Sequence, residues 1–209
     1  MSAKPYKTVG EFGESEIIIN KSRFIGACKH CETEEEALAF IKERRLLHKA
    51  SSHCCYAYII GKNSGIMRYS DDGEPGGTAG MPIIEVLKAR GVVDCAVTVT
   101  RYFGGILLGA GGLVRAYTQG CVIGVEAAGE LLMEPCVDYM LSIPYSLLGR
   151  LENDLKETPI KTLDREFGAD ITLTFRMPEH FEESFIRMMS EMTSGNADIL
   201  KTGEGFFPL

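Results

Sequence analysis

Two arginines flank a glycine run: Arg101 stands three residues before Gly104, and Arg115 three after Gly112. The stretch from Thr100 to Tyr117 reads as the end of a strand, a loop and the start of a helix. Glycine in such a place lets backbone N–H groups close on a ligand, and a helix N-terminus adds partial positive charge. Arg101, Tyr102 and Arg115, with the N–H groups of Gly104, Gly105, Gly109, Gly111 and Gly112, are therefore candidates to hold a phosphate or an RNA backbone. The same glycines would equally permit tight turns and close packing of helix on sheet, and Gly-x-Gly-Gly alone does not choose between these.

Upstream lies an acidic loop of Ser70, Asp71, Asp72, Gly73 and Glu74. Its spacing is not that of a calcium loop. Ser70, Asp71 and Asp72 are expected to make turn hydrogen bonds, with Glu74 meeting an arginine such as Arg101. In a functional role these residues would order the facing loop or read a base or ribose edge. Cys28, His30 and Cys31 with His53, Cys54 and Cys55 invite a zinc reading. Cys54 and Cys55, however, are neighbours in a strand and must point to opposite faces, so at most one can join a site. No catalytic residue, metal or cofactor is assigned, and the thiols are expected in the core.

Composition narrows the class. Of 209 residues, 45% are apolar and 24% charged, ordinary for a globular chain. No apolar run approaches the length of a membrane span, and Met1 to Gly13 lacks the order of a signal peptide, so a cytoplasmic location without membrane contact is expected. Seven cysteines in such a chain imply free thiols. The net charge is −7, but residues 136–209 hold 7 basic and 13 acidic residues against 15 and 16 before them, which leaves room for a basic surface on the N-terminal part.

The elements that must position these residues follow from local patterns. Glu16–Ile19 and Arg23–Cys28 form a hairpin at Asn20-Lys21. Thr33 and Glu36 open a helix as a capping box. Strands are expected at Cys54–Ile60, Ile66–Ser70 and Val92–Thr100. A helix runs from about Pro82 to Arg90 and stops at Gly91. Another carries Leu113, Tyr117, Cys121 and Gly124 to about Gly129. Beyond Glu134-Pro135 the pattern becomes βαββαβ: Tyr139–Tyr145, Ser146–Glu157, Lys161–Phe167, Ala169–Met177, His180–Thr193 and Ala197–Lys201. That is a ferredoxin-like layout. The fold class is α+β in two domains, residues 1–135 and 136–209.

The segments Ser70 to Ile83 and Val99 to Tyr117, with Ser22-Arg23-Phe24, His53 and Cys55, resemble the IMPACT family in its bacterial YigZ-like branch. The resemblance spans about residues 16–130. It implies an N-terminal domain of the ribosomal-protein/GHMP-kinase β-α-β type and a C-terminal ferredoxin-like domain. It also implies a link to translation or its regulation, with nucleic-acid binding as the associated activity. The leading expectation is a non-enzymatic regulator that binds RNA or the ribosome through the N-terminal domain. The alternative is an enzyme acting on a nucleotide or phosphorylated small molecule at the same loop, although neither a loop lysine nor Walker spacing is present. A protein partner on the acidic C-terminal domain is a third expectation.

Overall fold

A computed structural model describes residues 4–196 and 198–209. The chain divides into two compact units: residues 6–131, and residues 132–209 together with Lys4 and Pro5.

The first unit contains β1 (Tyr6–Val9), β2 (Phe12–Ile19), β3 (Ser22–His30), α1 (Glu34–Leu47), β4 (His53–Ile60), β5 (Ile66–Ser70), α2 (Gly80–Arg90), β6 (Cys95–Tyr102) and α3 (Gly109–Ala128). The hairpin turns where expected. Asn20 and Lys21 both have left-handed backbones, φ 46° and 64°, the geometry whose twist suits a two-residue turn between antiparallel strands. β2 starts four residues earlier than the pattern implies, because Gly13 reads locally as a breaker yet pairs in register with Cys28. Thr33 Oγ1 accepts the Glu36 N–H at 3.2 Å, while the Glu36 carboxylate turns to the Glu32 N–H at 2.8 Å instead of Thr33.

The sheet order is β2-β3-β6-β4-β5, every pairing antiparallel. β3 and β4 flank β6 and therefore run parallel to each other, with α1 as the crossover of a β-α-β unit. β6 is central and buried on both faces. On one side Cys95, Val97 and Val99 pack with Phe24, Cys55, Ile59 and the α2–α3 residues Ile83, Leu87, Tyr117 and Cys121. On the other, Ala96 packs with Ala27, Tyr58 and the α1 residues Ala37, Phe40 and Ile41. β6 begins later than Val92. Asp94 has φ 52°, which no regular strand residue adopts, and its carboxylate accepts the Gly61 N–H at 2.6 Å.

The second unit holds β7 (Glu130–Ile143, which starts in the first), α4 (Tyr145–Leu155), β8 (Lys161–Phe167), β9 (Ile171–Pro178), a 3₁₀ turn (Glu179–Phe181), α5 (Glu182–Met192) and β10 (Asp198–Pro208). Its strands lie in the order β10-β7-β9-β8, all antiparallel, as a βαββαβ ferredoxin-like layout requires. Val137, Tyr139, Leu141, Ile143 and the alternate residues Ile171 to Met177 face Leu151, Phe185, Met189 and Met192. Two ends differ from expectation. Glu134-Pro135 does not break the chain's pattern: β7 passes straight through, with Pro135 opposite Phe206. β10 continues past Lys201 because a register shift between Lys201 and Gly203 absorbs the glycine-rich segment. Ala197, the first residue of the expected last strand, lies outside the described residues.

Candidate functional site

The acidic loop turns its carboxylates inward. Asp71 Oδ1 accepts the N–H groups of Ala79 (3.0 Å) and Gly80 (2.8 Å), and Oδ2 that of Gly77 (2.9 Å). Asp71 thus stands where an external anion would otherwise sit, at the N-terminus of α2, whose Ala79 supplies no side-chain cap. Asp72 Oδ2 accepts the Cys54 N–H at 2.7 Å, Oδ1 accepts from Arg45 at 2.5 Å, and the Asp72 N–H donates to Ser70 Oγ at 3.1 Å. Left-handed backbones at Asp72 and Gly73 make the turn possible. The expectation that Ser70, Asp71 and Asp72 build turns agrees with this geometry.

Burial alone would raise the Asp71 pKa, but the donors Gly77, Gly80 and Ala79 outweigh it and the net direction is down. A carboxyl whose folded pKa lies below its unfolded value, about 3.9, stabilises fully above that value. The contribution disappears as pH falls through the folded pKa. Asp71→Ala is therefore expected to cost about 1–3 kcal/mol at neutral pH. The gap from wild type should narrow in acid, as measured by urea unfolding from pH 7 to pH 2.

Glu74 and Arg101 meet as expected, but beneath the surface. Arg101 Nη1 donates to Glu74 Oε1 at 2.7 Å, and Tyr117 Oη donates to the same oxygen at 2.7 Å. The two charged side chains are 7% and 3% exposed. Arg101 Cζ lies 5.5 Å from the Phe24 ring centre and 5.4 Å from that of Phe103. Its Nε is buried and has no hydrogen-bond partner among the described residues. Arg101 thus props the start of the glycine loop instead of facing solvent. His53 Nδ1 is 2.8 Å from the Asp72 carbonyl, which can only accept, so Nδ1 carries the proton; Nε2 lies 3.9 Å from Glu74 Oε2.

The glycines of the loop separate into two kinds. A Cβ on Gly104 would sit 2.0 Å from the Lys21 carbonyl, so Gly104 is there for contact with the β2–β3 turn, and its N–H reaches Ser22 Oγ at 3.2 Å. Gly105 and Gly109 have positive φ with open space where a Cβ would be, and Gly111 would meet only an Arg115 nitrogen at 3.8 Å. Gly112 is tighter, 3.0 Å from Leu108 Cβ. α3 begins at Gly109 with Leu108 before it, no side-chain cap and no acidic residue in its first turn. Arg115 is exposed, and among the described residues no acidic group pairs with it. Tyr102 is half-buried against His48, with its ring 5.6 Å from the Arg23 guanidinium. Phe103, which the sequence reading passed over, is 50% exposed beside this loop. An aromatic at the loop's first position was the available signal.

All seven cysteines are free and buried. Cys54 and Cys55 do point apart. Thr100 Oγ1 donates to Cys54 Sγ on one face, while Cys55 Sγ donates to the Asp71 carbonyl on the other. Burial pushes both thiols up, away from the reactive thiolate. Among the described residues no group of three or more His, Cys, Asp or Glu side chains could hold a metal ion, and no helix is long and apolar enough to cross a membrane.

Comparison with known proteins bears on the whole arrangement. Residues 20–123 match the Impact N-terminal domain, and residues 141–196 match a domain of unknown function, DUF1949. The IMPACT family member YvyE of Bacillus subtilis is 42% identical over 199 residues, 95% of this chain and 91% of the relative. The IMPACT family member YigZ of Escherichia coli is 34% identical, covering 89% of this chain and 92% of the relative. A crystal structure of a hypothetical protein is 31% identical with a TM-score of 0.60, over 97% of this chain and 98% of that one. With both domains in order and relatives matched nearly end to end, the chain belongs to the IMPACT family as a YigZ-like member.

Proposed function

We propose that the N-terminal unit binds RNA, in association with translation, by holding a backbone phosphate at the start of α3. One contrast carries this reading: α2 has Asp71 fitted onto its N-terminal N–H groups, whereas α3 has no side-chain cap, and Arg115, nearly two turns in and without an acidic partner among the described residues, reaches back to Gly111 of its first turn. An uncapped helix start beside a fixed cation favours an anion. The open spaces at Gly105, Gly109 and Gly111 let that anion approach the backbone. Arg115 is the phosphate contact in this reading, and Arg101 is a positioning residue that supports Phe103 from below. Exposed Phe103 adds a surface on which an unstacked base can lie.

The test uses the full chain and a labelled single-stranded RNA over a range of salt concentrations. Arg115→Ala is expected to weaken binding and to reduce the slope of log affinity against log salt by about 0.7, the share of one single-strand phosphate. Unchanged affinity and slope would reject the site. A thermal-shift response to nucleotides that grows with concentration, with none to RNA, would favour the enzyme alternative.

A further inference from the structure

The phosphate site makes no use of His53 or of the second oxygen of Glu74, yet the fold holds the two face to face. His53 opens β4 directly opposite Arg101 of β6, so both side chains leave the sheet on one face. The acidic loop fixes the ring at one end, where the Asp72 carbonyl accepts the Nδ1 proton. Two residues further on, the same loop brings Glu74 to the other ring nitrogen. With the proton on Nδ1, Nε2 of the neutral ring is an acceptor. Glu74 Oε1 is taken by Arg101 and Tyr117, while Oε2 accepts no hydrogen bond among the described residues. Nε2 and Oε2 thus stand 3.9 Å apart, two acceptors beyond hydrogen-bond reach of each other.

We propose that this pair receives an amino group, one N–H going to His53 Nε2 and the other to Glu74 Oε2, and that the amine is the exocyclic amine of a base lying on Phe103. The base assignment rests on the RNA reading; the amino site itself does not. A nitrogen about 2.9 Å from both acceptors fits the gap between them. The approach is past His53, whose side chain is 26% exposed, with the Glu74 carboxylate as the floor. Phe103 is one guanidinium away: Arg101 Cζ lies 5.4 Å from its ring centre, and Arg101 Nη1 lies 2.7 Å from Glu74 Oε1. The backbones are tied as well. Ser52, the neighbour of His53, accepts the Phe103 N–H through Oγ at 3.2 Å and donates its own N–H to the Arg101 carbonyl at 2.8 Å. Charge favours a neutral amine over an alkylammonium. Glu74 is already balanced by Arg101, and Arg45 on Asp72 adds a second cation to the loop, so an ammonium ion would meet like charge. A base without that amine would cover both acceptors and leave them unmatched, which is costly for a carboxylate.

Nitrogen-detected NMR of His53 and affinities for labelled single strands test this in the full chain at pH 7.5. The probes are a strand of adenosines, the same strand of purine ribosides, which lacks only the amine, and methylammonium chloride. The free protein should show a proton on Nδ1 and none on Nε2. The adenosine strand should shift the Nε2 resonance and bind about tenfold more tightly than the purine strand. Glu74→Gln keeps an oxygen for Arg101 and Tyr117 and sets an amide NH2 in place of Oε2, where it donates to Nε2 itself; the two strands should then bind alike. His53→Phe, a ring without the acceptor, should erase the preference too, with thermal unfolding showing that each variant is folded. Equal affinity of the wild type for both strands, with Nε2 unmoved, overturns the inference and leaves the RNA reading standing. Binding of neither strand, with Nε2 shifted by methylammonium in the wild type but not in Glu74→Gln, supports the amino site and rejects the RNA reading alone. An Nε2 already protonated in the free protein, or moved by no probe, overturns the amino site.

Discussion

Glu74→Ala is expected to destabilise the N-terminal unit by about 3–5 kcal/mol, among the largest effects a single substitution in this chain can have. The reason is what remains behind. Arg101 cannot be neutralised, is 7% exposed on its side chain, and already has one buried nitrogen without a partner among the described residues. Without Glu74 its charge has no counterpart, and Tyr117 Oη loses its acceptor. Glu74→Gln should cost less, because an amide oxygen still accepts from both. The double variant Arg101→Met, Glu74→Leu should cost less than either single truncation, since removing both charges also removes their desolvation penalty. Urea unfolding of the full chain, with hydrogen exchange reporting on β6 and α3 separately, measures each. A loss below about 1 kcal/mol for Glu74→Ala would mean the pair is solvated. The buried pair is also why the RNA test is placed on exposed Arg115 and not on Arg101, whose truncation would act through the fold.

Gly26→Ala is the second large effect, expected at about 3 kcal/mol. A Cβ there would lie 1.8 Å from the Gly120 carbonyl oxygen, 2.9 Å from its carbon and 3.2 Å from the Gly124 nitrogen. Every one of these atoms is backbone, so no rotamer change relieves the overlap, and α3 must lift from β3. Gly124 meets the same contact from the other side, 2.9 Å from the Gly26 carbonyl carbon, and Gly13 would strike the backbone of Ala127 and Ala128. Helix and sheet touch backbone to backbone along this line. Gly111→Ala is the control. It sits in the same helix with only the far end of Arg115 nearby, and should leave stability unchanged or raise it by up to about 1 kcal/mol. Thermal unfolding of the two variants compares a glycine kept for packing with one that is free of it. Equal losses would remove that distinction, and with it the open backbone on which the phosphate proposal draws.

Much of the fold was legible because its signals are local. Asn20-Lys21 between two β-type runs, Thr33 before an acidic turn, Gly91 and Gly129 after apolar helices, and the alternation of Ile171 to Met177 each act within a few residues. The errors came where a local breaker is overruled by pairing across the sheet. Gly13 and Pro135 both lie inside strands whose partners hold them in register. Asp94 fails in the opposite direction: a residue in a β-rich run takes a left-handed backbone because its carboxylate is claimed by Gly61, thirty-three positions away.

The sequence by itself determined the meeting of Glu74 with Arg101, the α+β class, the ferredoxin-like order of the second unit, and the family. It also determined that Cys54 and Cys55 cannot share a site, since strand geometry alone separates them. Only the tertiary structure decided what the charged residues of the motif are free to do. Arg101 and Arg115 look alike in the chain, each three residues from a glycine. β6 runs through the middle of the sheet and carries Arg101 under Phe103 onto Glu74, while α3 turns Arg115 outward, with no acidic partner among the described residues. The same holds for the glycines: Gly104 and Gly120 face backbone or side chain at contact distance, whereas Gly105 and Gly109 face open space. Burial and distance to a partner are properties of the packed molecule, and they separate residues that their type and spacing leave equivalent.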